Sequence, residues 1–156
     1  MNIKALILDF SRVLIFANAD VPSLNRHHND LQAQIPGYHV LDHFRLNLEL
    51  LDYLKQLSVR IPLYIFSDGK LHTLPEIAKP LEGIFKKIVT ASEVGYKKSQ
   101  PEAFLALAYR LGYAPSELLF IDDQATNIFA AKVAGFVTHQ YTTNTELIGL
   151  LNNAAA

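Results

Sequence analysis

Cysteine and tryptophan are absent from this chain of 156 residues, and methionine occurs once. Without a thiol there is no disulfide, no thiolate nucleophile and no cysteine-ligated zinc or iron-sulfur centre, so apolar burial must hold the core. The same absence is compatible with a reducing cytosol. An excess of one charge is also missing: 14 basic and 15 acidic residues give a formal net charge of -1, which removes the electrostatic reason to expect nucleic acid or an anionic membrane as a partner. No stretch approaches the ~20 apolar residues of a membrane span. The opening Met1-Asn2-Ile3-Lys4 leads into an apolar run too short for a signal-peptide core. The expectation is a soluble, unprocessed, cytoplasmic chain.

What the sequence does have is apolar material, 50% of its residues, enough for one domain spanning 1–156 to bury a core without staples. Four short apolar runs end at polar residues: Ala5 to Leu8 before Asp9, Leu63 to Phe66 before Ser67, Ile88 and Val89 before Thr90, and Leu118 to Ile121 before Asp122. Continuous apolarity marks strands covered on both faces, as in a parallel sheet between helices. Helical spacing lies between them. Leu46, Leu50, Leu51, Leu54 and Leu57 form one stripe, and Phe104, Leu105, Ala108 and Leu111 another, the latter after a Ser99-x-x-Glu102 capping signature with Pro101. A helix from about Thr126 to Ala134, a stop at Gly135, a strand near Phe136 to His139 and a helix after Asn144 complete the alternation, with a frayed tail from Asn152 to Ala156. Alternating strands and helices predict an α/β fold with right-handed crossovers.

Ligands of such sheets bind beyond the carboxyl ends of the strands. Those ends carry Asp9, Ser67 and the pair Asp122-Asp123. Two adjacent acids at a strand end repel each other unless a cation or donor balances them, which makes this pair the most informative feature of the chain. Asp9 opens Asp9-Phe10-Ser11-Arg12-Val13-Leu14. Ser67 closes Leu63-Tyr64-Ile65-Phe66-Ser67-Asp68-Gly69. Lys98 lies in Gly95-Tyr96-Lys97-Lys98-Ser99-Gln100-Pro101-Glu102-Ala103-Phe104. The fourth segment runs Leu119-Phe120-Ile121-Asp122-Asp123-Gln124-Ala125-Thr126-Asn127 and on to Gly135.

In order and spacing these segments resemble the four motifs of the haloacid dehalogenase-like (HAD) superfamily, in its phosphatase-type branch. The resemblance implies a three-layer Rossmann-like fold, mostly parallel, with a small lid insertion. It also implies Asp9 as nucleophile toward phosphorus, with Ser67 and Lys98 stabilising the transferring oxygens. A magnesium ion would be held by Asp9, the Ser11 carbonyl and Asp123, with Asp122 a weaker or indirect ligand oriented by Asn127. Lys97 is expected to be a solvated neighbour. A dehalogenase would leave the acidic pair unexplained, since that reaction needs no metal. The substrate class is a phosphorylated small molecule or a phosphoprotein.

Two departures mark this chain. The family's second aspartate, which protonates the leaving oxygen and activates water, is here Ser11. The glycine common at the next position is here Arg12, expected to point to the surface. The second departure is size: only Phe16 to Phe44 is available for a cap, enough for a lid or long loop. It holds His27, His28, His39 and His43, whose spacings fit no strict metal signature. The alternative to a slow magnesium-dependent phosphatase is a catalytically weakened HAD-fold binding or regulatory protein. A missing acid-base group typically costs ~10²–10⁴-fold in rate, so Ser11→Asp is expected to raise magnesium-dependent phosphate release about tenfold or more. A colorimetric phosphate assay of both proteins decides it, and an unchanged rate would mean that the site lacks more than this carboxyl.

Overall fold

Strands buried on both faces form the centre of the computed structural model, which describes residues 2–19, 21 and 34–154. In chain order the strands are β1 (Ala5–Leu8), β2 (Ile15–Ala17), β3 (Phe44–Leu46), β4 (Leu63–Ser67), β5 (Lys87–Thr90), β6 (Leu118–Asp122) and β7 (Val137–Gln140). The described helices are α1 (Leu48–Leu57), α2 (Pro75–Leu81), α3 (Ala91–Val94), α4 (Pro101–Leu111), α5 (Ala125–Val133) and α6 (Asn144–Ala154). Five strands make one parallel sheet in the order β5-β4-β1-β6-β7, and β2 and β3 pair as a separate antiparallel ribbon.

The pleat sorts the apolar residues into two cores. Leu6, Leu8, Leu63, Ile65, Leu119 and Ile121 face α1, α2 and α6 through Leu50, Leu54, Ile77 and Leu147. Ile7, Phe66 and Phe120 face the other way, onto Phe104, Leu107 and Ala131 of α4 and α5. Phe104 meets Phe66, Phe120 and Phe136 edge-on at 5.6, 4.8 and 5.4 Å between centroids. A sheet covered on both sides is the expected three-layer architecture.

Several local expectations shift. Leu46 lies in the ribbon, because Asn47 caps α1 by accepting the Leu50 amide and so starts the helix at Leu48. Ser99 is not a cap: Gln100 takes that position ahead of Pro101, and its side-chain oxygen accepts the Lys97 amide. The final helix runs on to Ala154, so Asn152 to Ala154 are helical rather than frayed, and residues 155 and 156 lie outside the described residues. Helix α2, bounded by Pro75 and containing Pro80, had no periodic signature in seven residues. The ribbon closes the base of the 16–44 insertion. Residues 20 and 22–33, with His27 and His28, lie outside the described residues. Within the described part, His43 stacks on Tyr38 and His39 approaches Glu76 at 3.7 Å. Among the described residues no helix is long and apolar enough to cross a membrane.

Asn47 fastens this ribbon to the sheet. Its amide nitrogen donates to the Val13 carbonyl and to Asn144 Oδ1, both at 2.8 Å, and its backbone N–H donates to the Leu14 carbonyl at 2.8 Å. The turn after β1, the start of α1 and the start of α6 therefore share one buried side chain. Asn47→Ala removes a cap and leaves the Val13 carbonyl without this donor, so equilibrium urea unfolding should report a loss of about 2–3 kcal/mol. A change under about 0.5 kcal/mol would mean that water replaces these bonds.

Candidate active site

Sheet register sets the site. Leu8 stands opposite Ile65 on β4 and Ile121 on β6, so the next residue, Asp9, emerges level with Phe66 and Asp122. The Asp9 amide donates to the Ile121 carbonyl at 2.8 Å and fixes that exit. Ser67 ends β4 one residue further along, opposite Thr90, buried, with Oγ donating weakly to the Gly69 carbonyl at 3.4 Å. Ser11 is half-buried in the turn after β1 and bridges to Ile15.

Lys98 comes from the segment between α3 and α4 and is only 2% exposed. Its ammonium donates to Asp9 Oδ1 at 2.6 Å and lies 3.0 Å from Asp122 Oδ2. The rings of Phe66 and Phe120 lie 5.5 and 5.6 Å from the same nitrogen, so aromatic faces complete its surroundings. Both Asp122 oxygens are engaged: Oδ1 accepts the Gln124 amide at 2.8 Å and Oδ2 accepts Asn127 Nδ2 at 3.0 Å beside Lys98. A buried ammonium between two buried carboxylates satisfies charges that would each be costly alone. Lys97 is exposed, as expected.

Asp123 is held differently. Arg12 lies at the surface as expected, its side chain 47% exposed, and its Nε reaches Asp123 Oδ2 at 3.1 Å. The ion pair is the feature that the sequence did not announce. The backbone explains it: Arg12 has φ 62°, which among the described residues no other non-glycine shares, and the Arg12 amide donates to the Ile15 carbonyl at 2.7 Å. A residue with a Cβ in this left-handed conformation costs about 1–2 kcal/mol, which the surrounding turn must offset. Nothing local in the sequence signals the Arg12–Asp123 contact, because the two residues meet only after β1 and β6 pair.

Burial pushes the Asp9 carboxyl up from 3.8 to about 6; Lys98 pulls against this and Asp122 adds to it. Asp123 is also raised, again by desolvation first, with Arg12 opposing. The other Asp123 oxygen, Oδ1, is buried with no hydrogen-bond partner. One carboxylate oxygen from each of Asp9, Asp122 and Asp123 lies within 4.8 Å of the other two. An all-oxygen donor set with one unsatisfied buried oxygen fits a hard divalent cation such as magnesium. Beside Lys98 and Asn127 opens a cleft of ≈ 510 Å³ with a polar lining that includes Asp68, Ser92, Lys97 and Thr126.

Comparison with known proteins agrees with this geometry. A family model described as haloacid dehalogenase-like hydrolase matches residues 13–135, beginning just after Arg12. The chain is 31% identical over 103 residues to the D-ribitol-5-phosphate phosphatase of Bacteroides thetaiotaomicron, covering 61% of this chain and 50% of that protein. It is 36% identical over 66 residues to the phosphoglycolate phosphatase of Escherichia coli K12, covering 39% and 26%. The matched segments thus span at most about half of these curated relatives. A HAD family enzyme from B. thetaiotaomicron, solved as a magnesium complex, superposes with TM-score 0.72 at 19% identity, covering 97% of this chain and 99% of that one. A predicted HAD-like family hydrolase from Porphyromonas gingivalis gives TM-score 0.73 at 19% identity over 99% and 98%. At these identities the structures speak for the fold.

The raised Asp9 carboxyl has a thermodynamic signature. A folded-state pKa above the ordinary 3.8 means that the Asp9 contribution to stability is full below that pH and is lost as pH rises through about 6. Metal-free protein should therefore lose on the order of 2–3 kcal/mol relative to Asp9→Asn between about pH 4 and about pH 8. Urea denaturation of both proteins across this range measures it; a pH-independent difference would exclude Asp9 as the titrating group.

Proposed function

Because this chain belongs to the haloacid dehalogenase-like hydrolases, we propose that it is a magnesium-dependent phosphatase of small phosphorylated molecules with Asp9 as nucleophile. The observation that carries the reading is the buried Lys98 ammonium, 2.6 Å from Asp9 and 3.0 Å from Asp122. A lysine so placed keeps Asp9 available as a carboxylate and offsets repulsion between that carboxylate and an approaching phosphate.

Lys98 engages Asp9 Oδ1, which leaves Oδ2 as the attacking atom. Attack on phosphorus forms an acyl phosphate and breaks the phosphorus–oxygen ester bond, and the alcohol departs with a proton. Water then cleaves the acyl phosphate to inorganic phosphate and restores Asp9. Ser67 Oγ and the backbone amides after it would donate to phosphoryl oxygens from the same sheet edge. Asp9 and Asp123 would hold magnesium together with the Ser11 carbonyl, while Asp122, already engaged by Lys98, Asn127 and the Gln124 amide, positions the lysine. The ion would supply charge neutralisation at the transferring phosphoryl group. Ser11 is a poor general acid near neutral pH, so the leaving group must take its proton elsewhere and turnover is slow. The hydroxyl- and charge-lined cleft suits a polar leaving group, in keeping with the named substrates of the two phosphatases matched above.

Asp9→Asn is nearly isosteric and removes the nucleophile. Phosphate release from a panel of sugar, polyol and carboxylate monoesters with magnesium should be measurable for wild type and absent for the variant. A folded Asp9→Asn protein with wild-type turnover would exclude the covalent route.

A further inference from the structure

Two cations serve three acids at this sheet edge, and they are not equivalent. Lys98, 2% exposed, is locked between Asp9 and Asp122. Arg12, with its side chain 47% exposed, reaches only Asp123, the acid whose other oxygen is buried and unpartnered. One cation is built into the fold; the other lies at its rim, where its guanidinium can move into solvent once another cation meets Asp123. We infer that Arg12 is a tethered competitor of the divalent cation, holding Asp123 in the metal-free protein and yielding it when the ion binds.

The turn makes this more than a chance surface pair. Left-handed backbone at Arg12 is fixed by the hydrogen bonds of Arg12 to Ile15, Leu14 to Phe10 and Ile15 to Phe10, and by Asn47 from α1 gripping Val13 and Leu14. The guanidinium is thus delivered from a rigid base to a carboxylate on another strand. Without it, Asp123 would face Asp9 and Asp122 with no cation of its own, since the charged groups around this carboxylate are those two acids, Lys98 and Arg12. With it, the metal-free site tolerates its acids, and each metal-binding event becomes an exchange of one cation for another. Arg12 is accordingly a positioning residue that lowers magnesium affinity and raises metal-free stability.

This inference rests on the metal site proposed above, and the test separates the two. Magnesium is titrated calorimetrically into wild type, Arg12→Asn and Arg12→Lys at fixed ionic strength, with thermal unfolding of each in chelator and in saturating magnesium. Asparagine accepts the left-handed conformation, so its effect reports charge rather than backbone strain. A partly exposed pair of this kind corresponds to at most about fivefold in affinity, so Arg12→Asn should bind magnesium about two- to fivefold more tightly. Its Tm should be lower in chelator and recover in magnesium, with Arg12→Lys between the two. Magnesium binding of equal or lower affinity in a folded Arg12→Asn protein overturns the competitor role and leaves the metal site standing. No binding by any of the three proteins overturns both. Should Arg12→Asn fail to fold, Arg12→Gly, which relieves the backbone as well, is read by the same two measurements.

Discussion

The interaction on which the rest depends is the buried bridge from Lys98 to Asp9 and Asp122. An ammonium sealed between aromatic rings persists only if carboxylates meet it, and those carboxylates are tolerable only because the ammonium is there. Three parts of the chain must therefore arrive together: the end of β1, the end of β6 and the loop ahead of α4. The order β4-β1-β6 supplies the first two, and the Phe66–Phe104–Phe120 cluster below them sets the level at which the lysine rests. Removing Lys98 would leave two buried carboxylates without their cation, a loss that costs roughly 3–5 kcal/mol in such settings, so fold and chemistry are protected by the same lysine.

Much of this was readable in the residues because the decisive patterns are local. Four apolar runs ending in polar residues located the strands that meet at the site, and the pairing of Asp122 with Asp123 announced a cation nearby. The family resemblance picked Lys98 rather than Lys97, and in the structure Lys98 is buried and Lys97 exposed. Asn127 indeed donates to Asp122. What escaped was settled by contacts between distant segments. Leu46 has helical spacing with Leu50 but belongs to a ribbon strand, since the capping preference of Asn47 outweighs periodicity. Arg12 meets Asp123 only after β1 and β6 pair. Helix α2 is too short, and too rich in proline, to show a period.

The two acids of the pair divide their duties because neighbouring residues at a strand end project to different sides. Asp122 faces Lys98 and Asn127 with both oxygens engaged, whereas Asp123 retains an unpartnered one. Adjacent identical residues thus become unequal through environment alone, one spent on holding the lysine and the other open to a cation. The same reasoning separates Lys98 from Arg12: depth of burial, not formal charge, decides which cation is permanent.

The parallel register that aligns Leu8 with both Ile65 and Ile121 also governs how such a protein can change over generations. Point substitutions at exposed positions leave the alignment untouched, but gain or loss of a single residue within β1 or β6 would swap the faces onto which successive side chains project, and in β6 it would move one acid of the pair into the other's place. Length variation is far cheaper beyond the ribbon formed by Ile15–Ala17 and Phe44–Leu46, where the chain departs from the sheet and returns to it at one spot. Insertions there leave the strand ends in frame, and a longer loop adds only a slowly growing entropic cost.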